Sequence, residues 1–345
     1  MGRIISFVLL FVLLTVRFSK KPVNALTPEL CTSVKGVAAI LIVLTHCITH
    51  AVQDNTSVWT QLSTGWLTVT VFFFLSGYGS AFGLCRKEGY AKHFLRNRFV
   101  RVYVPFLLCL LIYSLYRVCT GMSFQPLDLL TSLVGGWGVV PHLWYIFVTL
   151  VLYVFLFLSF RIASRPIGRI VLLSVFTLAL TFALWAFIGS ERDYWFISNF
   201  SFVFGVALQL FDPPARMRKV LIPALAVCAA GGFLLLPVCN RLFGGYVYTA
   251  YILSCNLGSA FLVSALMLLL TYTAGSNRVT AFLGRISYEI YLYHILFLWL
   301  TSNILHITNG LLMFVVTTAL TIPFAALMHI PGSFLCEKLC AKKTQ

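Results

Sequence analysis

Charge is scarce in this chain. Only 10% of its 345 residues are Asp, Glu, Lys or Arg, and only nine are acidic. A soluble protein of this length could not bury, in one core, the 60% of residues that are hydrophobic, nor solvate its surface with so few charges. Glycine-rich phosphate loops of the GxGxxG and P-loop kinds, the HExxH zinc helix and the CxxC pair do not occur, and no repeat period stands out. Their absence removes the nucleotide folds, zinc hydrolases and dithiol enzymes that those spacings mark, so no resident metal or cofactor is expected. The ten cysteines fall mostly in or beside apolar runs, with Cys336 and Cys340 next to lysines, and read as small packing residues. No basic, aromatic-rich soluble stretch exists, which argues against a nucleic-acid partner.

Apolar runs are what the chain has instead. Ten of them, most near the length a helix needs to cross a bilayer, cover Gly36–Val52, Trp66–Leu84, Val102–Cys119, Leu143–Phe160, Ile170–Ile188, Trp195–Phe211, Val220–Cys239, Val247–Tyr272, Ile286–Ile304 and Leu311–Ile330. The expected fold is all-α, a polytopic membrane helix bundle with the lipid bilayer as its first partner.

The cations orient it. Of 25 Lys and Arg, 21 fall into alternate loops, from Arg17, Lys20, Lys21 and Lys35 to Lys338, Lys342 and Lys343; only Arg117, Arg192 and Arg241 fall on the other side, and Arg3 is unassigned. By the positive-inside rule the basic loops are cytoplasmic, as in a multi-pass protein of the cell (inner or plasma) membrane. The net charge of +16 then reports topology and contact with anionic lipid or phosphate. In a cysteine-depleted variant of sealed cells, single cysteines at Arg192 or Arg241 should react with an impermeant thiol reagent, and one at Lys87 should not. Labelling at Lys87 would invert every span.

The N-terminal run Ile4–Phe18 has the length of a signal-peptide core and is followed by Val23-Asn24-Ala25, a weak small-residue cleavage pattern. Arg17, Lys20 and Lys21 hold its far end in the cytoplasm, which favours an uncleaved short helix, tilted or at the interface. Residues 1–29 thus form a short hydrophobic helix and linker, 30–335 the membrane domain, and 336–345 a basic cytoplasmic tail.

Polar residues within the spans mark the places where chemistry could occur. Lys35 and His46 lie eleven steps apart on one apolar helix, which raises His46 roughly 16 Å above Lys35 at about 1.5 Å per residue. An imidazole at that depth is costly; a general base held from water and a structural hydrogen bond between helices both fit this stretch. Arg98 and Arg101 share one helix face ahead of Pro105, either as a forked phosphate clamp or as ordinary anchors. Val71-Phe72-Phe73-Phe74-Leu75-Ser76-Gly77-Tyr78-Gly79 sets small residues beside bulky rings, where a backbone or a ligand can come close. Pro141-His142-Leu143-Trp144-Tyr145 places Trp144 and Tyr145 in an aromatic belt, where they could also stack on a sugar ring. In the polar start of the ninth span, Arg285 and Glu289 have the spacing of an ion pair, and Tyr291 and His294 the spacing to point together into the bundle.

Taken in order, Lys35-x10-His46, Ser76-Gly77-Tyr78, Arg98-x-x-Arg101, His142-Leu143-Trp144-Tyr145, Phe204-Gly205 and Ile286-Ser287-Tyr288 with Tyr291-Leu292 and His294 resemble the motifs of the integral-membrane acyltransferase type 3 family. The resemblance runs from about Leu30 to Ile330, as a stand-alone membrane domain. It implies a ten-span bundle that moves an acyl group, in typical members acetyl from acetyl-CoA, onto a hydroxyl of an extracytoplasmic glycan or lipid-linked sugar. Acyl-CoA is then a donor substrate, with no permanently bound cofactor. His46 matches the family's catalytic histidine, and Lys35 the other catalytic position of the same motif. Arg98 and Arg101, and Lys35 with them, would contact the acyl-CoA; Ser76, Trp144, Tyr145, Glu289, Tyr291 and His294 would serve the acceptor or support the site. Lys35 stands where the family has arginine, keeping the charge and losing the bidentate fork. A transporter or flippase without acyl chemistry, and an inactive scaffold, are the competing readings.

Overall fold

The computed structural model describes residues 2–15, 26–51, 62–122, 125–134, 138–273 and 277–340. Among them the chain forms thirteen α-helices and no strand. They are α1 (Gly2–Thr15), α2 (Pro28–Ala51), α3 (Gly65–Arg86), α4 (Tyr90–Cys119), α5 (Pro126–Leu133), α6 (Trp144–Ile162), α7 (Pro166–Ile188), α8 (Phe200–Phe211), α9 (Ala215–Leu242), α10 (Tyr248–Thr273), α11 (Arg278–Arg285), α12 (Ser287–Trp299) and α13 (Gly310–Leu339). Nine helical stretches among the described residues are long and apolar enough to cross a membrane. The protein is a multi-pass membrane bundle.

Some of the cations tie helix ends together. Arg86, closing α3, lies 3.5 Å from Asp212 after α8, and Arg96 on α4 donates to the Leu339 carbonyl of α13 at 3.0 Å. Helix α13 continues through Leu339, so the expected tail from 336 begins as helix; residues 341–345 lie outside the described residues, as do 16–25 of the N-terminal linker.

Two expected spans are not continuous α-helix. The run Ile286–Ile304 is α12 followed by a π-helical turn, Leu300–Ile304. Within α12 the Tyr113 hydroxyl donates to the Leu292 carbonyl at 3.1 Å and accepts the Leu296 N–H at 2.8 Å, the two groups that a regular turn would pair with each other. The run Trp195–Phe211 is helical only from Phe200, behind a 3₁₀ segment, Ser190–Trp195. A broken backbone inside a bilayer needs internal partners. Asn256 on α10 supplies them, its amide donating to the Phe196 carbonyl at 2.7 Å and its oxygen accepting the Phe200 N–H at 3.1 Å.

Helices α3 and α8 approach closely enough to touch backbones. A Cβ on Gly77 would lie 2.1 Å from the Phe202 carbonyl oxygen, and one on Gly205 would lie 2.1 Å from that of Phe74. The motif glycines therefore face each other across one crossing, where small residues let helices meet. It holds α3, with Ser76, against the bundle.

Candidate functional site

Two cavities approach each other inside the bundle. One, of about 240 Å³ and called inner for the side on which the sequence places the cytoplasm, is lined by Lys35, Ser76, Arg98, Arg101, Tyr145 and Tyr288. The outer one, of about 450 Å³, holds His46, His142, Trp144, Tyr194 and Thr45. Ile42, Val69 and Tyr291 line both and form the partition between them. Lys35 and His46 reach different cavities because the same helix, α2, carries them about three turns apart.

Three imidazoles meet on the outer side. The His46 ring centroid lies 4.7 Å from that of His142 and 5.1 Å from that of His294. His294 Nδ1 sits 2.7 Å from the Tyr291 carbonyl oxygen and 3.2 Å from that of Ile290. A carbonyl oxygen can only accept, so Nδ1 donates, and in the neutral ring Nε2 keeps its lone pair. That buried Nε2 has no hydrogen-bond partner among the described residues. The Tyr291 hydroxyl, in turn, donates to the His142 backbone carbonyl at 2.5 Å and ties α12 to the 3₁₀ turn at Pro141–Leu143. Burial, with neighbouring His50 adding to it, pushes the His142 imidazole down to about 4, so it brings no charge to His46 near neutral pH. Among the described residues no group of His, Cys, Asp or Glu is arranged to hold a metal ion.

At the inner cavity the cations are set among aromatic rings. The Arg98 guanidinium carbon lies 5.3 Å from the Tyr153 ring centroid and 5.8 Å from that of Phe94. Its Nε is buried with no hydrogen-bond partner among the described residues. A buried N–H without a partner, in a cavity shared with Lys35 and Arg101, is a donor available to an anionic ligand.

The structure separates residues that the sequence placed together. Trp144 faces the outer cavity, 5.6 Å from the Tyr194 ring, whereas Tyr145 faces the inner one, where its hydroxyl lies 3.4 Å from Ser76 Oγ. Consecutive residues on a helix point about 100° apart, which is why the two rings line different cavities. Ser76 likewise belongs to the inner side, while Tyr291, between the two, packs 5.5 Å from Tyr145 and 6.1 Å from His294.

Glu289 corrects the expected pairing. Its carboxylate meets His329 Nδ1 at 2.9 Å, and the Arg285 guanidinium instead lies over the Phe282 ring. The reason is the break at Ile286, which ends α11 and starts α12, so residues 285 and 289 are not one turn apart on a continuous helix. Glu289 and His329 line a third cavity of about 310 Å³, which shares only Arg101 and Tyr288 with the inner one. His142, Tyr194 and Arg3 are among the cavity residues that sequence reasoning did not assign. His142 stood inside a quoted motif, and a polar ring at the start of an aromatic span was the signal.

The sequence profile of the type 3 acyltransferases, described as an acyltransferase domain, matches residues 32–330. No curated protein and no solved structure gave a significant match.

Proposed function

Since the chain belongs to the acyltransferase type 3 family over residues 32–330, we propose that it transfers an acyl group, acetyl in the simplest case, from cytoplasmic acyl-CoA to a hydroxyl of an extracytoplasmic glycan or lipid-linked sugar. The observation that carries this reading is the pair of cavities with unlike linings on either side of Ile42, Val69 and Tyr291. Coenzyme A is anionic, and Lys35, Arg98 and Arg101 suit its phosphates. The thin pantetheine arm then passes the partition and brings the thioester to His46. On the other side a sugar lies against Trp144 and Tyr194.

The chemistry needs one base. As the acceptor oxygen attacks the thioester carbonyl, His46 takes its proton; the new C–O bond forms, the C–S bond breaks, and the proton passes to the departing thiolate. An acyl-imidazole on His46 is the two-step variant of the same exchange. His294, its Nδ1 held by backbone, and Tyr291, held by the His142 carbonyl, keep the imidazoles in register.

Release of free coenzyme A by the purified protein, with and without a glycan extract, tests the reading. Acyl-CoA-dependent release stimulated by the extract is expected, and a protein that releases none is a transporter or a scaffold. Replacing Arg98 or Arg101 by alanine should raise the half-saturating acyl-CoA concentration by about 10- to 100-fold each, as expected for losing a charge-assisted hydrogen bond. Lys35→Arg restores the family residue and should keep or raise activity. Arginines that can both be removed without that rise are membrane anchors only.

A further inference from the structure

Helix α1 carries one cation, Arg3, at a place that the family reading leaves unexplained. Arg3, Phe7 and Phe11 are spaced four apart and so share one helix face. Phe7 and Phe11 are fully buried, stacked at 5.3 Å, in a core cluster with Leu30, Val34 and Val37 of α2. The face that anchors α1 to the bundle is thus the face that bears Arg3. One turn beyond Phe7, Arg3 lines the outer cavity together with His46, His142 and Trp144.

That cavity otherwise carries no permanent charge. Among the described residues lining it there is no carboxylate and no other Lys or Arg; the remaining polar groups are imidazoles, hydroxyls and two indoles. Arg3 is itself exposed, so its guanidinium stands at the edge of a largely apolar chamber; it favours an oxyanion there, and its planar fork matches a carboxylate or a phosphate in two parallel hydrogen bonds. Resting on the acyltransfer reading, we propose that the acceptor is anionic, bearing a carboxylate or phosphate close to the hydroxyl that is acylated, and that Arg3 of the N-terminal helix selects it. The hydroxyl then reaches His46 while the oxyanion is held at the α1 side of the chamber. A neutral glycan has nothing to offer Arg3 and is the poorer substrate.

The test uses full-length protein in lipid nanodiscs with radiolabelled acetyl-CoA. Sugars and lipid-linked sugars extracted from cells deleted for this gene are split by anion exchange into neutral and anionic pools. Label is expected in the anionic pool. Arg3→Gln should raise the half-saturating concentration of that pool about tenfold or more, without a matching rise for acetyl-CoA, and Arg3→Lys should recover part of the loss. Amidating carboxylates in one aliquot and cleaving phosphates with mild acid in another identifies which oxyanion is read. Label in the neutral pool, or an Arg3→Gln protein that uses the anionic pool as well as wild type, overturns the proposal. So does an equal loss toward acceptor and donor, which marks Arg3 as merely holding the fold. No label in either pool, with no coenzyme A released by wild type, defeats the acyltransfer reading itself, and this inference with it.

Discussion

His46→Ala should lower acyl transfer by roughly 10²- to 10⁴-fold, the loss expected when general acid–base help disappears, and further if the ring carries a covalent intermediate. The protein should remain inserted, because the His46 ring borders a cavity and packs mainly against two other imidazoles. His50, one turn farther along α2 and exposed, is the control: its removal deletes the same ring without entering the chamber. The readout is transfer per unit of monodisperse protein. If His46→Ala and His50→Ala lower protein level and activity together, the rings serve folding. Full specific activity in a well-inserted His46→Ala protein would end the proposed mechanism.

Loss of folded protein, not a slow enzyme, is the expected outcome of Gly77→Ala and Gly205→Ala. Each added methyl would sit 2.1 Å from a backbone carbonyl of the facing helix, and a backbone cannot rotate away as a side chain can. Overpacking of a core typically costs about 1–3 kcal/mol, and a collision with main chain belongs at or above the top of that range. Gly79, two residues on in the same motif, has nothing within 4 Å of its would-be Cβ. Thermal unfolding in detergent should therefore separate Gly77→Ala from Gly79→Ala by many degrees. Identical melting of the two would mean that the helices are not held at that crossing.

Much of this architecture was legible in the residues. The apolar runs foretold an all-α helix bundle, since they follow from transfer of side chains between water and lipid. The glycine in Phe204-Gly205 and the one in Ser76-Gly77-Tyr78 were visible as small residues, though not as partners. His46, His142 and His294 all stood in the quoted motifs, but three helical pieces far apart in sequence bring them together, and no local spacing encodes that. One expectation failed for a plain reason: pairing Arg285 with Glu289 assumed an unbroken helix between them. The facing of α6 goes with packing against neighbours such as Phe73, which no local spacing encodes.

The partition of Ile42, Val69 and Tyr291 also has an electrical meaning. With water in the cavities on both sides, most of the transmembrane voltage drops across that thin layer, and moving one elementary charge through it would involve about 2.3 kcal/mol per 100 mV. The proposed exchange avoids this work. The phosphates stay at the inner cations, an acyl cation equivalent leaves the sulfur in one direction, and a proton returns in the other. Matter crosses the insulator while net charge does not, so turnover should be indifferent to membrane potential, and the idle protein should conduct no ions.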